Sequence, residues 1–184
     1  MVLIENPPSL LAIVALVSYV LGAIPFGIVI TRLFGLEDVR KIGSGNIGAT
    51  NVLRTGSKSA ALATVLLDSG KGLVAVLIAK VYVGNDAAQV AALSAFLGHL
   101  YPIWLGFRGG KGVATLLGTL VGLAPIVGLI ALCSWLFIYF VYRISSLSAL
   151  ASSVFTSVLT YFIGYSHRTL LMSVMTDFVY WKIR

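Results

Sequence analysis

The sequence predicts an all-α, polytopic membrane protein with seven transmembrane helices, N-terminus outside and C-terminus cytoplasmic, and three observations carry that prediction. First, 59% of the 184 residues are hydrophobic and 10% charged, with 19 glycines and a mean hydropathy of +1.01. A water-soluble fold has no core large enough to bury that much apolar surface. Second, apolar runs able to cross ~30 Å of hydrocarbon, about 20 residues at 1.5 Å each, recur along the chain. Third, threading those runs through a bilayer separates the cations to one side. The whole chain, 1–184, reads as one integral-membrane domain.

Residues 8–31, 87–107 and 144–166 contain no Asp, Glu, Lys or Arg and read as plain spans, the second holding His99. Residues 1–6 lack the basic segment of a signal peptide, so the first run is expected to remain as an uncleaved span. The run 59–83 is interrupted by Asp68, Ser69, Gly70, Lys71 and Gly72, which only a bundle interior or a watery cavity tolerates. Residues 112–142 are free of charge and would make one helix of roughly 46 Å, but Pro125 follows Gly122 closely, so a break into two short spans is the alternative. The last run, 169–181, is short and contains Asp177.

The positive-inside rule chooses between six and seven spans. With a break at Pro125, Arg32, Arg40, Lys41, Arg54, Lys58, Arg108, Lys111, Arg143, Lys182 and Arg184 are cytoplasmic, against Lys80 and Arg168 outside. That is ten against two, whereas the unbroken reading gives eight against four. The net charge of +7 points to anionic partners, namely lipid headgroups or phosphorylated substrates. The cations stand singly between apolar stretches, which argues against nucleic acid. Cys133 is the single cysteine, so no intramolecular disulfide forms.

Two glycine-rich polar islands fall on the cytoplasmic side: Gly43 to Asn51, reading GSGNIGATN, and Arg108-Gly109-Gly110-Lys111-Gly112. Gly43, Gly45 and Gly48 have the spacing of a dinucleotide-binding turn, but a membrane helix and the polar stretch GLEDVRK precede them, not the strand of a βαβ unit. Lys111 is not a Walker lysine, because Gly106 stands one position too close and Gly112 replaces the Ser/Thr that would hold magnesium. What survives is the physics beneath those motifs: glycine backbone amides, helix N-termini and a lysine that together hold a phosphate. Either island alone is explained by helix packing or topology. Two on one face, with Ser44, Asn46, Thr50, Asn51, Arg54 and Lys111 as donors, favour anion binding. Asp68 and Lys71, three apart on a helix, read as a mutually neutralising pair. His99 reads as a packed or hydrogen-bonded side chain near the substrate rather than a catalyst.

The stretches GSGNIGATNVLRTGSKSAALATVLLDSGKG, LGHLYPIWLGFRGGKGVAT and RISSLSAL, in that order, resemble the bacterial acyl-phosphate:glycerol-3-phosphate acyltransferases of the PlsY type over nearly the whole chain. The resemblance implies a bacterial inner-membrane enzyme with a cytoplasmic active site. It would move a fatty acyl group from acyl phosphate to the 1-hydroxyl of glycerol 3-phosphate, the first acylation of phospholipid synthesis. It also implies that Ser44 and Arg54 are the essential serine and arginine of the first motif, that Gly109, Gly110 and Lys111 form the phosphate-binding motif, and that Ser146 is the serine of the third loop. The family usually continues at its last segment as Arg-His-Arg-Glu-Asn, whereas Lys182-Ile183-Arg184 stand here, with Ile183 in place of the histidine.

An activated acyl donor needs its two anionic reactants held together and a developing oxyanion stabilised. No Ser-His-Asp set is visible, with only His99 and His167 present, and the His-x-x-x-x-Asp pattern of other glycerolipid acyltransferases is missing, since Trp104 lies five residues after His99. Direct transfer is therefore expected, without metal or cofactor. Lys111 with the amides of Gly109, Gly110 and Gly112 would hold one phosphate. Arg54 with Gly43, Gly45, Asn46, Thr50 and Asn51 would hold the other, and Ser44 would orient the attacking hydroxyl. The other class considered is a transporter or binding protein for a phosphorylated metabolite, which would need a polar path to both sides. The short, sparse outer loops favour the enzyme.

Overall fold

The computed structural model describes residues 5–162 together with Met175 and Lys182. Apart from Met175, the expected seventh span lies outside the described residues, as do His167 and Ile183. The ordered elements are α1 (Pro8–Gly22), α2 (Phe26–Leu33), α3 (Ala49–Val52), α4 (Lys58–Tyr82), α5 (Asn85–Leu100), α6 (Val113–Leu123), α7 (Pro125–Tyr142) and α8 (Ser145–Phe162), with single 3₁₀ turns between some of them. No strand occurs among the described residues, in keeping with rejection of the dinucleotide turn. Among the described residues, four helical stretches are long and apolar enough to cross a membrane: Pro8–Leu33, Lys58–Tyr82, Asn85–Leu105 and Pro125–Tyr142. The helices α6 and α8 are shorter apolar ones. Large apolar side chains such as Leu16, Leu66 and Phe137 point outward, as lipid-facing surface does.

Both proline positions divide helices. Pro125 opens α7 as its first residue, with Ala124 in extended conformation before it. A proline lacks the N–H that would bond back and disfavours helical backbone at the preceding residue. The same chemistry acts at Pro25, which splits the run 8–31 into α1 and α2. A search for charge-free runs does not detect that split. Ser57 caps α4 by accepting the Ala60 amide at 3.2 Å.

The central helix is α4, packed on α5 and α6, while α1 packs on α5 and α7 on α8. Small residues allow the approach. A Cβ at Gly118 would strike the Ser69 backbone, and one at Gly72 would meet the Thr115 carbonyl oxygen at 2.6 Å. Gly118→Val is accordingly expected to lower stability by about 1–3 kcal/mol, read as a depressed melting temperature in detergent. Gly70→Ala, with nothing within 4 Å of the new methyl, should leave it unchanged or raise it, since alanine is the better helix former.

Alternation of helix direction brings the C-terminus of α2, the N-terminus of α4 and the loop after α5 to one end. There Ile28, Ile30, Val39, Ile47, Val52 and Ala60 form a cluster against which Leu105 packs. The opposite end is tied by Asp86, which accepts from the Asn6 amide at 3.1 Å and from Asn6 Nδ2 at 2.7 Å.

Candidate active site

The first island is a loop organised around one buried asparagine. Asn51 is 2% exposed, and its Nδ2 is shared among the carbonyls of Val39 (2.7 Å), Asn46 (2.9 Å) and Ile42 (3.0 Å). Its Oδ1 accepts the Ser44 amide at 3.2 Å and faces Arg54 Nη1 at 3.5 Å. Asn46 Oδ1 accepts the Gly48 amide at 2.9 Å, and the Gly45 amide bonds to Ile42. Gly43 has φ +52°, and a Cβ there would collide with Asn51 Oδ1 and Arg54 Nη1, so only glycine lets the guanidinium lie over this turn. The outcome is a self-braced loop presenting the exposed Ser44 and the exposed Arg54.

The amides of Ser44, Gly45 and Gly48 are spent on the turn itself, and Asn46 and Asn51 frame the loop rather than face a ligand. Thr50 Oγ1 instead donates to Ser145 Oγ at 3.3 Å, tying this loop to the start of α8. Ser146, the third-loop serine the resemblance implies, is its half-buried neighbour.

The second island folds back on the end of α5. The Gly109 and Gly110 amides donate to the carbonyls of Leu100 and His99, both at 3.1 Å. Those two amides satisfy orphan helix carbonyls. The amides of Lys111 and Gly112 have no such partner among the described residues, and the first amides of α6 follow directly. The Lys111 side chain is half-buried and forms no ion pair among the described residues.

Not every cation at this end is available. Arg40 is clamped to Asp38, Nε at 3.0 Å and Nη2 at 2.5 Å. That side-chain hydrogen bond, with the Arg40 amide, holds the Asp38 carboxyl at about 2, so the pair is mutually neutralised and Asp38 is a poor base. Arg54, just after the first island, and Arg108 and Lys111 in the second form no ion pair among the described residues.

Below the second island, Lys71 Nζ meets Asp68 Oδ1 at 2.8 Å, confirming the neutralising pair. It also donates to the Ile24 carbonyl at 2.7 Å and to His99 Nδ1 at 2.9 Å. His99 is thus a buried, hydrogen-bonded side chain. Its link to Lys71 spans 28 positions and no local periodicity announces it. The only hint in the sequence is three ionisable residues in otherwise apolar helices.

A family model described as glycerol-3-phosphate acyltransferase matches residues 12–184. A glycerol-3-phosphate acyltransferase of Cereibacter sphaeroides is 66% identical over 150 residues, 82% of this chain and 71% of that protein. One of Dinoroseobacter shibae is 54% identical over 179 residues, 97% of this chain and 87% of that protein. The fold is similar to the crystal structure of PlsY, an integral membrane glycerol 3-phosphate acyltransferase, in its glycerol 3-phosphate form. That match has a TM-score of 0.87 at 35% identity, covering 94% of this chain and 87% of the other. The lysophosphatidic acid form matches with the same TM-score. A helical membrane bundle bearing two cationic glycine loops at one end, with relatives of this similarity, belongs to the glycerol-3-phosphate acyltransferase family of integral membrane enzymes.

Proposed function

We propose that this membrane glycerol-3-phosphate acyltransferase uses acyl phosphate as donor and acylates the 1-hydroxyl of sn-glycerol 3-phosphate, releasing phosphate. The observation that carries the reading is the two braced glycine-rich loops at the same end of the bundle, each bearing cations without an ion-pair partner among the described residues, Arg54 at the first and Lys111, beside Arg108, at the second. Two anionic reactants call for two such sites. In the reaction, the hydroxyl oxygen bonds to the acyl carbon, the bond from that carbon to the phosphate oxygen breaks, and the hydroxyl proton passes to a substrate phosphate oxygen. Ser44 orients the attacking hydroxyl, while Lys111 and Arg54 hold one phosphate each. Substrate-borne proton acceptance is favoured because neither loop contains a carboxylate and Asp38, just before the first, is engaged with Arg40.

In this reading the chain is one domain crossing a bacterial inner membrane seven times, N-terminus outside. The helix break at Pro125 and the ten-against-two distribution of cations support it, and in this reading both loops face the cytoplasm. The acyl chain then lies sideways in the bilayer while its headgroup meets the loops.

The test is to supply the purified protein with palmitoyl phosphate or palmitoyl-CoA, each with glycerol 3-phosphate, and to quantify lysophosphatidic acid. Product from the phosphate donor alone is expected. Product from the thioester alone, or an acyl-Ser44 ester accumulating when glycerol 3-phosphate is withheld, would contradict the proposal.

A further inference from the structure

The buried group beneath the second loop is larger than an ion pair needs. Lys71 Nζ hydrogen-bonds to two other segments, His99 Nδ1 on α5 and the Ile24 carbonyl at the α1–α2 break, and forms an ion pair with Asp68 Oδ1 on its own helix α4, all within 2.9 Å. The side chains of Asp68, Lys71 and His99 are at most 4% exposed. An ammonium only donates, so His99 Nδ1 accepts and the ring proton sits on Nε2. That edge of the ring faces Gly110: a Cβ on Gly110 would collide with His99 Nε2. The adjacent Gly109 and Gly110 amides bond to the carbonyls of Leu100 and His99, so the loop rests on this residue through backbone and ring together.

Burying ions in this way is weak as a source of stability, since desolvation offsets most of the attraction. Its consistent product is a fixed geometry. Lys111 immediately follows Gly110, and an anion ligand displaced by even ~1 Å loses much of its effect. We propose that Asp68, Lys71 and His99 are positioning residues that seat the Gly109–Gly110–Lys111 loop, the His99 ring serving as the shelf under Gly110 and Lys71 fixing that ring to α4 and to the Ile24 break. The inference rests on the proposed role of Lys111 as a phosphate ligand.

The test compares initial rates of wild type and His99→Asn with both substrates varied. Asparagine keeps an acceptor near the Nδ1 position for Lys71 and removes the ring edge under Gly110. Expected is a roughly 10- to 100-fold rise in the KM of one phosphate substrate, the same one that Lys111→Ala raises, with the other KM unchanged. Equal changes in both KM values, or none, overturn the inference.

Gly110→Ala and its combination with His99→Ala supply an independent arm. The alanine methyl should raise the same KM by collision with the ring, and vacating the ring should recover part of the loss. A double variant no better than Gly110→Ala overturns the inference even if His99→Asn does not fold. A wild type inactive with acyl phosphate would instead refute the proposed reaction, and this inference with it.

Discussion

Replacing Lys111 with alanine lowers acyl transfer by roughly 100- to 1000-fold, the loss typical of removing one preorganised electrostatic partner from a developing anion. The size follows from its setting. Lys111 is half-buried, without an ion-pair partner among the described residues, and stands one residue before the N-cap of α6, where the first helix amides add partial positive charge. Lys111→Arg keeps the charge but replaces a compact ammonium with a broad planar fork, and the loop is held too tightly against α5 to adapt. It is expected to recover only a small part of the rate. Steady-state rates of both variants, normalised to folded protein by size-exclusion chromatography, decide the matter.

Asn51→Ala is expected to reduce activity at least ~100-fold without touching substrate. Its side chain joins Val39, Ile42, Ser44, Asn46 and Arg54, and truncation leaves several of these groups unpaired. Each unsatisfied buried group costs about 1–3 kcal/mol, so the loop reorganises and both Ser44 and Arg54 move. Asn51→Asp preserves the acceptor for the Ser44 amide but abolishes donation to three carbonyls and adds a negative charge beside a phosphate site. It should therefore fail as well. Limited proteolysis would report the reorganisation, with new cleavage within residues 39–56 while the helices stay intact. Activity of Asn51→Ala close to wild type would show that the loop has another anchor.

How much of this could be read in the sequence depended on whether the cause was local. Pro125 announced its break because the apolar run around it was too long for one span. Pro25 acted by the same chemistry but lay in a run of ordinary length, so nothing in the hydropathy demanded a division. The two cationic glycine loops were legible as loops without a nucleotide fold, because glycine, cation and helix start stand close to one another in the chain. The assignment of amides was not legible. Gly109 and Gly110 are needed so that their loop can cap α5, a purpose that becomes visible only once the chain has turned back on itself. Contacts such as Lys71 to His99 and Thr50 to Ser145, 28 and 95 residues apart, arise from tertiary packing and leave no pattern at either helical or strand period. Asn51 was placed with the ligand-binding residues on chemical type alone. Burial assigned it to the frame.

The division of phosphates between two loops is tested most directly by an initial-rate matrix in which acyl phosphate and glycerol 3-phosphate are both varied, for wild type, Lys111→Ala and Arg54→Ala. The account predicts that each substitution raises the KM of a different substrate, beyond any shared loss in kcat. If both substitutions raise the same KM, or if neither changes any KM, the two loops do not each hold a phosphate and the account is contradicted.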